Sequence, residues 1–198
     1  LIENLKNKFK LEKNITLINE DILKIDFKSI ASDNSIIIGN LPYNISTKIL
    51  IKFVNELYKS TKKGIFMFQR EVADKIIAKK IKKNQLSSKI KIFYEVKEIL
   101  KVSENDFWPP PKIKSSVLFF TPKKIDFDNL NMKELDKFLQ CAFYSNRKKI
   151  VNNLSNKYDK DKILSILEKL GINDKARPEE IDEEMLFQIF IMINNNKS

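Results

Sequence analysis

The stretch of this sequence best suited to chemistry is Gly39-Asn40-Leu41-Pro42-Tyr43-Asn44-Ile45-Ser46, which follows directly on a short apolar run. The exocyclic amine of adenine is a poor nucleophile because its lone pair is delocalised into the ring. Two acceptors for its N–H groups, the side-chain oxygen of Asn40 and the backbone carbonyl of Leu41 or Pro42, would favour a more tetrahedral nitrogen. They would also stabilise the positive charge that develops as this nitrogen attacks a methyl group. Pro42 fixes the backbone for such a carbonyl, and Tyr43 offers a face on which an extruded base can stack.

Residues 40–43 are also typical of an ordinary turn between a strand and a helix, since Asn and Pro are common turn residues. The four residues alone therefore do not decide between a turn and an active site. The surrounding sequence has to decide.

The composition excludes several other kinds of active site. The chain has 198 residues, with no His, one Cys and three Gly. The lack of His rules out a Ser-His-Asp triad, a His-activated cysteine and an HExxH zinc site. A single Cys rules out a disulfide framework and a Cys-rich metal site, and it fits a reducing compartment. With neither kind of metal site available, we expect no metal ion. Three scattered glycines cannot form a Walker A loop or a GxGxxG turn, so we also expect no self-sufficient nucleotide-binding motif.

Positive charge dominates the chain and is unevenly distributed. Lys and Arg number 37 against 26 Asp and Glu, a net charge of +11. Residues 1–125 carry a net +12 and residues 126–198 a net −1, while residues 79–124 alone hold 12 Lys and 4 acidic residues. Such a patch suggests a polyanion partner, above all nucleic acid. The alternative is a solvated surface that reflects biased composition, because Lys supplies 34 of the 37 basic residues.

An α/β arrangement is predicted to position the motif. Continuous apolar runs are typical of strands buried in a parallel sheet, and here they alternate with helical patterns. In such a fold ligands bind beyond the carboxyl ends of the strands, where the Asn40 motif lies. The predicted strands are 15–19, 35–39 and 64–69, and the predicted helices are the opening 1–10, then 46–58 with Ser46 as N-cap, and 70–80.

The pattern changes after residue 80. Two extended segments flank a Pro-rich loop that can be neither helix nor central strand, which indicates an antiparallel hairpin at the edge of the sheet. Helical periodicity follows a polar linker, and Gly171 is suited to a helix C-cap. We therefore expect one domain over 1–122 and a small all-α domain over 123–198. The segments are a helix at 87–94, extended residues at 95–102 and 114–121, the loop at 105–111, the linker at 122–131 and helices at 132–145, 147–154, 159–170 and 179–193.

The first residues bear on what kind of chain this is. It begins at Leu1, in what reads as the middle of an amphipathic helix, and shows no signal-peptide pattern. We therefore expect a fragment whose N-terminus lies upstream. No apolar run approaches the roughly 18 residues that a membrane span requires. A soluble, cytoplasmic protein is expected.

The motif GNLPYNIS closely resembles the active-site motif of the ribosomal RNA adenine N6,N6-dimethyltransferases of the small-subunit, kasugamycin-resistance type, which use S-adenosylmethionine. The resemblance extends in order and at compatible spacing over essentially all 198 residues. It implies a Rossmann-like class I methyltransferase sheet with its N-terminal strands missing, followed by a small C-terminal all-α domain. The further matching stretches are Phe68-Gln69-Arg70-Glu71-Val72, 107–117 (FWPPPKIKSSV), 143–149 (FYSNRKK) and 171–180.

The same resemblance implies roles for individual residues. Asp21 matches the acidic residue that contacts the adenine of the cofactor, and Asn40 matches the residue that touches both cofactor and substrate amine. Phe107 matches the aromatic residue that closes over the target base opposite Tyr43; a hydrophobic plug on the hairpin is the alternative. RNA contacts are implied for Arg70, Lys112, Arg147, Lys148 and Lys149, with a structural salt bridge at Arg70 and a solvated helix face at 147–149 as alternatives.

Two departures from the family pattern stand out. Its glycine-rich cofactor loop and the acidic residue that binds ribose would lie upstream of Leu1, so we expect the chain as given to bind S-adenosylmethionine weakly and to be nearly inactive. Where the family usually has Tyr-Gly-Arg-Leu-Ser, this chain has Lys83-Asn84-Gln85-Leu86-Ser87. The local turn and one RNA contact are therefore in doubt.

The resemblance implies an enzyme that dimethylates two adjacent adenines near the 3′ end of small-subunit ribosomal RNA. Its partner would be an immature small ribosomal subunit, and the protein would act as a monomer without a membrane or a metal. The alternatives are a large-subunit ribosomal RNA adenine methylase, a DNA adenine methylase and a non-catalytic RNA-binding ribosome assembly factor. The FWPPPK segment and the Arg177-Pro178-Glu179-Glu180 stretch favour the small-subunit enzyme.

Overall fold

The computed structural model describes residues 1–78, 83–109, 113–124 and 130–194. Predicted features that fall in the gaps, among them Lys112, the end of the helix predicted to reach residue 80 and most of the polar linker, lie outside the described residues. The elements are α1 (Ile2–Lys8), α2 (Phe27–Ile30), β1 (Ser35–Asn40), α3 (Ser46–Leu57), β2 (Thr61–Gln69), α4 (Arg70–Ile77), α5 (Gln85–Phe93), β3 (Tyr94–Val102), β4 (Ser115–Pro122), α6 (Met132–Ala142), α7 (Ile150–Leu154), α8 (Lys160–Lys169) and α9 (Glu183–Asn194), with 3₁₀ turns at Glu104–Asp106 and Pro178–Glu180.

The described strands form one mixed sheet in the order β1-β2-β4-β3. β1 and β2 are parallel, and α3 connects them as the crossover helix of a βαβ unit. β4 runs antiparallel to both β2 and β3. This confirms the predicted antiparallel pair at the edge of the sheet and places β1 at the opposite edge.

Aromatic side chains hold α3 against the sheet. Phe53 of α3 is fully buried, with its ring centroid 5.0 Å from that of Phe66 on β2 and 5.1 Å from that of Tyr94 on β3. Phe120 on β4 joins the same cluster, 5.6 Å from Phe66. Edge-to-face and tilted contacts of this kind add to the hydrophobic gain from burial. The amphipathic pattern predicted for 46–58 is therefore confirmed as the helix that covers the centre of the sheet.

Two predictions about the strands are wrong. Residues 15–19 form no strand, and Ile15 and Ile18 are 40% and 46% exposed. β1 is a strand, but its burial alternates, with Ile36 and Ile38 exposed, instead of being buried on both faces. β-branched residues favour strands only where a neighbouring strand and a covering layer accept them. Within the described residues, neither a neighbouring strand nor a covering layer buries the Ile36 and Ile38 side chains of β1.

Several helix boundaries differ from the prediction. Ser46 is the first residue of α3 and not its N-cap, because its hydroxyl donates to the Tyr43 carbonyl oxygen at 3.2 Å instead of accepting from the helix. The predicted helix 147–154 begins only at Ile150, and the one predicted from 179 begins at Glu183 after the 3₁₀ turn. Local hydrogen bonds at these ends, which periodicity does not report, set the boundaries.

The last four helices pack on one another and on α5. The Phe93 ring of α5 lies 6.3 Å from that of Phe187 on α9, and Phe138 on α6 lies 5.6 Å from Phe190. α8 ends in a Schellman motif in which Ile172 N–H donates to the Leu167 carbonyl at 2.8 Å and Gly171 adopts a φ of +66°. The C-cap is Leu170, so Gly171 lies one residue past the position predicted for it. The division at 122/123 stays a prediction.

The segment that departs from the family pattern has a structure of its own. The Asn84 side chain accepts from the backbone N–H of Ser87, and the Ser87 hydroxyl receives a bond from the backbone N–H of Asn84, which forms a capping box at the start of α5. Lys83 is buried, with Nζ 2.5 Å from the Ile181 carbonyl oxygen and 3.5 Å from Glu183 Oε1. The turn therefore forms without the glycine that the family usually has here, and Lys83 connects the turn to the start of α9.

None of the helices in the described ranges has the length and apolar character that crossing a bilayer requires.

Candidate active site

The carboxyl end of the sheet brings several chain segments together. β1 ends at Asn40 and β2 at Gln69, and Gln69 pairs with Ser115 at the start of β4. Ser115 also pairs with Val102, where β3 ends. The turn after β1, the start of α4, the loop after β3 and the residues before β4 therefore share one edge of the sheet. This is the edge at which ligands bind in open α/β sheets.

A tight turn shapes the chain from β1 to α3. Leu41 is buried in the core while Asn40 and Pro42 are exposed. The Ile45 N–H donates to the Pro42 carbonyl at 3.1 Å, and this bond closes the turn. A Cβ on Gly39 would lie 2.7 Å from Leu41 Cδ2, so glycine leaves the space into which Leu41 folds back. Leu41 thus turns inward, while Asn40 at the strand end is exposed to solvent.

Tyr43 is held by a partner that is distant in the sequence. Its hydroxyl shares a 2.7 Å hydrogen bond with Ser115 Oγ, 72 positions away, and Ser115 is 1% exposed. The ring itself is half-buried. One end of the side chain is therefore fixed at β4 while part of the ring remains open to a ligand. The sequence contains a Ser-Ser pair before an apolar run, but polar residues are too common at strand starts for that to reveal Ser115 as the anchor.

Phe107 lies in the loop after β3, on the same edge of the sheet. The loop begins with a 3₁₀ turn in which Ser103 and Asp106 form a capping box. Phe107 is half-buried and Trp108 is 96% exposed, followed by a cis peptide bond to Pro109. The structure thus brings Phe107 to the edge that carries Asn40 and Tyr43. Its closure over a base opposite Tyr43 stays a prediction.

Arg70 links three elements at this edge. Its Nη1 donates to Glu98 Oε1 on β3 at 2.6 Å and to Ser116 Oγ on β4 at 2.7 Å, and its Nε lies 3.4 Å from Asp74 Oδ1. The Arg70 side chain is two-thirds buried. These contacts are those of the structural salt bridge that was the alternative to RNA contact, and a role in RNA binding stays a prediction for Arg70.

A cavity of about 430 Å³ adjoins Arg70 and the Tyr43 anchor Ser115. Lys101 and Lys114 bring positive charge to its wall, and both are exposed to solvent. Glu104 contributes a buried carboxylate oxygen, Oε2, that has no hydrogen-bond partner among the described residues. From the sequence these lysines were predicted only as part of a basic span, because nothing in their spacing shows that β3 and β4 bring them to the same edge.

Asp21 lies in the loop before α2. Its Oδ1 accepts from the Leu23 N–H at 2.9 Å, and its carbonyl accepts from Lys24 N–H at 2.8 Å. The side chain is exposed. The Asx-type turn fixes one carboxylate oxygen, and contact with the adenine of a cofactor stays a prediction for Asp21.

The basic cluster 147–149 lies in a turn between α6 and α7 and not on a helix. Arg147 and Lys148 are exposed, and Lys149 is partly buried. No group of three or more His, Cys, Asp or Glu side chains is arranged to hold a metal ion in the part of the chain that the structure describes.

Comparison with known proteins gives a consistent result. The family model for ribosomal RNA adenine dimethylase matches residues 1–195. The chain is 39% identical over 198 residues to ribosomal RNA small subunit methyltransferase A of Mycoplasma mobile, covering 98% of this chain and 75% of that protein. It is 40% identical over 192 residues to the protein of the same name in Malacoplasma penetrans, covering 96% and 68%.

Solved structures show the same fold. The crystal structure of a dimethyladenosine transferase from Plasmodium falciparum superposes with a TM-score of 0.79 at 23% identity, covering 98% of this chain and 78% of that one. The structure of the 23S rRNA methyltransferase ErmE superposes with a TM-score of 0.67 at 19% identity, covering 97% and 77%. The predicted Rossmann-like α/β methyltransferase architecture is thereby confirmed.

Proposed function

Because this chain belongs to the ribosomal RNA adenine dimethylase family, we propose that it transfers methyl groups from S-adenosylmethionine to N6 of two adjacent adenines near the 3′ end of small-subunit ribosomal RNA. The observation that carries the proposal is the turn after β1. It combines an exposed Asn40 with a Tyr43 ring whose hydroxyl is fixed at β4.

The turn also favours one of the two candidate backbone acceptors. The Pro42 carbonyl already accepts from the Ile45 N–H. The Leu41 carbonyl, which directly follows the strand end, is therefore the better second acceptor beside the Asn40 side-chain oxygen. Together the two oxygens would bind both N–H groups of the substrate amine and stabilise the positive charge that grows on its nitrogen. Acceptors that are already fixed need little reorganisation during the reaction.

Aromatic residues would hold the base in place. An adenine inside a helix cannot reach this edge, so it has to leave its stack. Tyr43 would then stack on one face and Phe107 would close over the other. A histidine base is not needed, because the methylated nitrogen can release its proton to water.

The described residues suit S-adenosylmethionine at two points. The Asp21 carboxylate, oriented by the Leu23 N–H, would accept from the adenine amino group of the cofactor, and Asn40 at the end of β1 would contact the cofactor beside the substrate amine. When bound, the cofactor supplies a methyl group activated on a positively charged sulfur. The residues of this chain would bind and orient it and hold the substrate amine beside that methyl group.

The substrate is proposed to be an immature small ribosomal subunit, met in the cytoplasm by a monomer. The positive charge over residues 1–125 supports an RNA surface on this part of the chain. The cavity lined by Lys101 and Lys114 would take the phosphates that flank the extruded base. The helical part, proposed as a second domain over 123–198, would contact RNA through Arg147, Lys148 and Lys149, and Lys112 is proposed as a further contact.

The test uses full-length protein, labelled S-adenosylmethionine and immature small subunits. We expect label on adenine with wild type and a rate about 100-fold lower with Asn40→Ala, in line with the loss of one preorganised hydrogen bond at a developing charge. Asn34→Ala, which removes an exposed asparagine just before the opposite end of β1, is the matched control and should leave the rate unchanged. Binding of subunits without methyl transfer would instead support the non-catalytic assembly factor.

A further inference from the structure

A second cavity lies in the helical part of the molecule, at the C-terminal end of α6. It has a volume of about 480 Å³, within the range of pockets that take small ligands. The described residues that line it are an aromatic, two amides, two lysines and the cysteine: Tyr144, Gln140, Asn156, Lys137, Lys157 and Cys141. The core of the helical part is largely apolar, and none of these six residues belongs to its buried set.

Tyr144 is presented to solvent from a firmly held loop. Its side chain is 75% exposed, which gives a large planar face to the surface. The loop is held by the fully buried Asn153, whose Nδ2 donates to the carbonyl oxygens of Ala142 at 2.7 Å and Ser145 at 2.9 Å. An exposed ring on a fixed backbone loses little entropy when a base stacks on it, and every base offers a face for such stacking.

The two amides lie beside this ring. Gln140 precedes Tyr144 by four positions and is exposed at the end of α6. Asn156 donates from Nδ2 to the Asn153 carbonyl at 3.1 Å, which leaves its own side-chain oxygen available as an acceptor. Amide side chains both donate and accept, so they can pair with the polar edge of a base stacked on Tyr144.

Two lysines supply the charge that a phosphate needs. Lys137 Nζ lies 2.7 Å from Glu134 Oε1 and Lys157 Nζ lies 3.9 Å from Glu134 Oε2. Such half-exposed ion pairs contribute little to stability. A phosphate can therefore replace Glu134 as the partner of the two lysines with little loss of free energy. The exposed Arg147 and Lys148 follow Tyr144 within four residues and continue the positive charge along the loop.

We infer that this cavity, which we call the Tyr144 pocket, binds one unpaired nucleotide of the RNA substrate other than the target adenine. Tyr144 stacks on the base, Gln140 and Asn156 contact its edge, and Lys137 and Lys157 bind the adjoining phosphates. The inference rests on the proposed function only in taking RNA as the partner. It gives the helical part a site for a single-stranded region and not only a charged surface.

Cys141 allows this pocket to be tested directly. It is the one cysteine in the sequence, it lines the pocket, and its Sγ donates to the Asn153 carbonyl at 3.1 Å. Burial raises the pKa of the Cys141 thiol, so it reacts slowly at neutral pH. A nucleotide in the pocket would cover it.

The experiment measures alkylation of Cys141 by iodoacetamide, by mass spectrometry, at a pH of about 9 where more thiolate is present. The probes are an unpaired oligoribonucleotide of about 10 nucleotides and a duplex RNA of the same length. We expect saturating unpaired RNA to slow alkylation about 5-fold or more, and the duplex to protect much less. Tyr144→Ala should abolish the protection and weaken binding of the unpaired RNA about 10-fold, whereas Tyr144→Phe, which keeps the ring, should retain both.

A pair of lysine variants separates binding in the Tyr144 pocket from a general effect of positive charge on RNA binding. Lys137→Ala should weaken protection more than Lys133→Ala, which removes an exposed lysine one turn earlier on α6. Equal protection by unpaired and duplex RNA, or full protection in Tyr144→Ala, would overturn the inference. Methyl transfer is measured separately on small subunits, so protection without transfer contradicts the proposed function alone, and transfer without protection contradicts the Tyr144 pocket alone.

Discussion

Tyr43 combines two roles that a pair of substitutions can separate. Its ring is the proposed platform for the base, and its hydroxyl is bonded to the buried Ser115. Tyr43→Phe removes a hydrogen bond worth about 1 kcal/mol but keeps the ring, so we expect a small loss of stability and activity within a few-fold of wild type. Tyr43→Ala removes the stacking face and should lower kcat/KM at least about 10-fold.

Steady-state kinetics and urea unfolding of both variants check this prediction. If Tyr43→Phe is as inactive as Tyr43→Ala, the hydroxyl itself takes part in the reaction and its role as an anchor is wrong. If Tyr43→Ala is fully active, the ring does not hold the base.

At the scale of elements, Arg70 joins the start of α4 to β3 and β4. Its bonds to Glu98 and Ser116 are short and only partly exposed to solvent. We expect Arg70→Ala and Glu98→Ala each to lower the free energy of unfolding by about 1–3 kcal/mol, because each leaves a charged partner half-buried. The double variant should lose less than the sum of the two, which measures their coupling.

A charge-matched variant decides whether Arg70 also contacts RNA. A purely structural arginine predicts that Arg70→Ala weakens RNA binding no more than Lys97→Ala, which removes one exposed positive charge from β3. A markedly larger loss in Arg70→Ala, in a binding assay at a temperature where both variants are folded, would show that the guanidinium reaches RNA directly.

Lys89 connects α5 to α6 and carries a charge into the interior. It is 3% exposed and forms an ion pair with Asp136. Burial lowers the pKa of Lys89, and the hydrogen bond and charge of Asp136 only partly oppose this. Between its lowered pKa in the folded state and the ordinary lysine value of about 10.4, the unfolded chain therefore binds more protons than the folded one, and stability rises with pH.

We accordingly expect the free energy of unfolding of wild type, taken relative to Lys89→Met, to increase as the pH is raised from neutral towards about 10.4. Urea unfolding at several pH values measures it, with Lys133→Met as a control that removes an exposed lysine from α6. A difference that stays constant or falls with pH would show that the Asp136 pair, and not burial, dominates the titration of Lys89.

For the whole molecule, sequence patterns predicted the elements that depend on neighbouring residues in the chain. They missed the features that depend on contacts between distant residues. The amphipathic helix 46–58 was predicted because its apolar positions follow the helical period, and the strand 64–69 because it contains a short continuous apolar run. Residues 15–19 have the composition of a strand, yet they form none, because strand formation requires a pairing partner that composition does not reveal.

The candidate site divides in the same way. The Asn40 motif was found from its residue types and from a resemblance, since its chemistry lies within four consecutive residues. The Tyr43–Ser115 bond, the Arg70 contacts and the cavity beside Lys101 and Lys114 depend on the pairing of β2, β3 and β4. No local pattern encodes that register, so these features could be recognised only in the folded chain.

The uneven charge of the whole chain makes a prediction about RNA affinity. Release of counterions from phosphates makes the logarithm of the binding constant fall linearly with the logarithm of the salt concentration, with a slope of about −0.7 for each neutralised phosphate of a single strand. If the part of the chain with a net charge of +12 is the RNA surface, replacing Lys101, Lys114 and Lys124 by alanine should reduce the slope by about 2. These three lysines are exposed, and Lys101 and Lys114 line the cavity beside Arg70.

The matched control replaces Lys160, Lys169 and Lys175, which are also exposed but belong to the part with a net charge of −1. Both triple variants lose three positive charges, so a general effect of net charge would change the two slopes equally. A surface of fixed geometry predicts instead that only the first triple variant flattens the salt dependence, measured by fluorescence anisotropy with an unpaired oligoribonucleotide. Equal slopes in the two variants would mean that RNA is attracted by overall charge, and the lysines at the sheet edge would then have no specific part in placing the adenine beside Asn40.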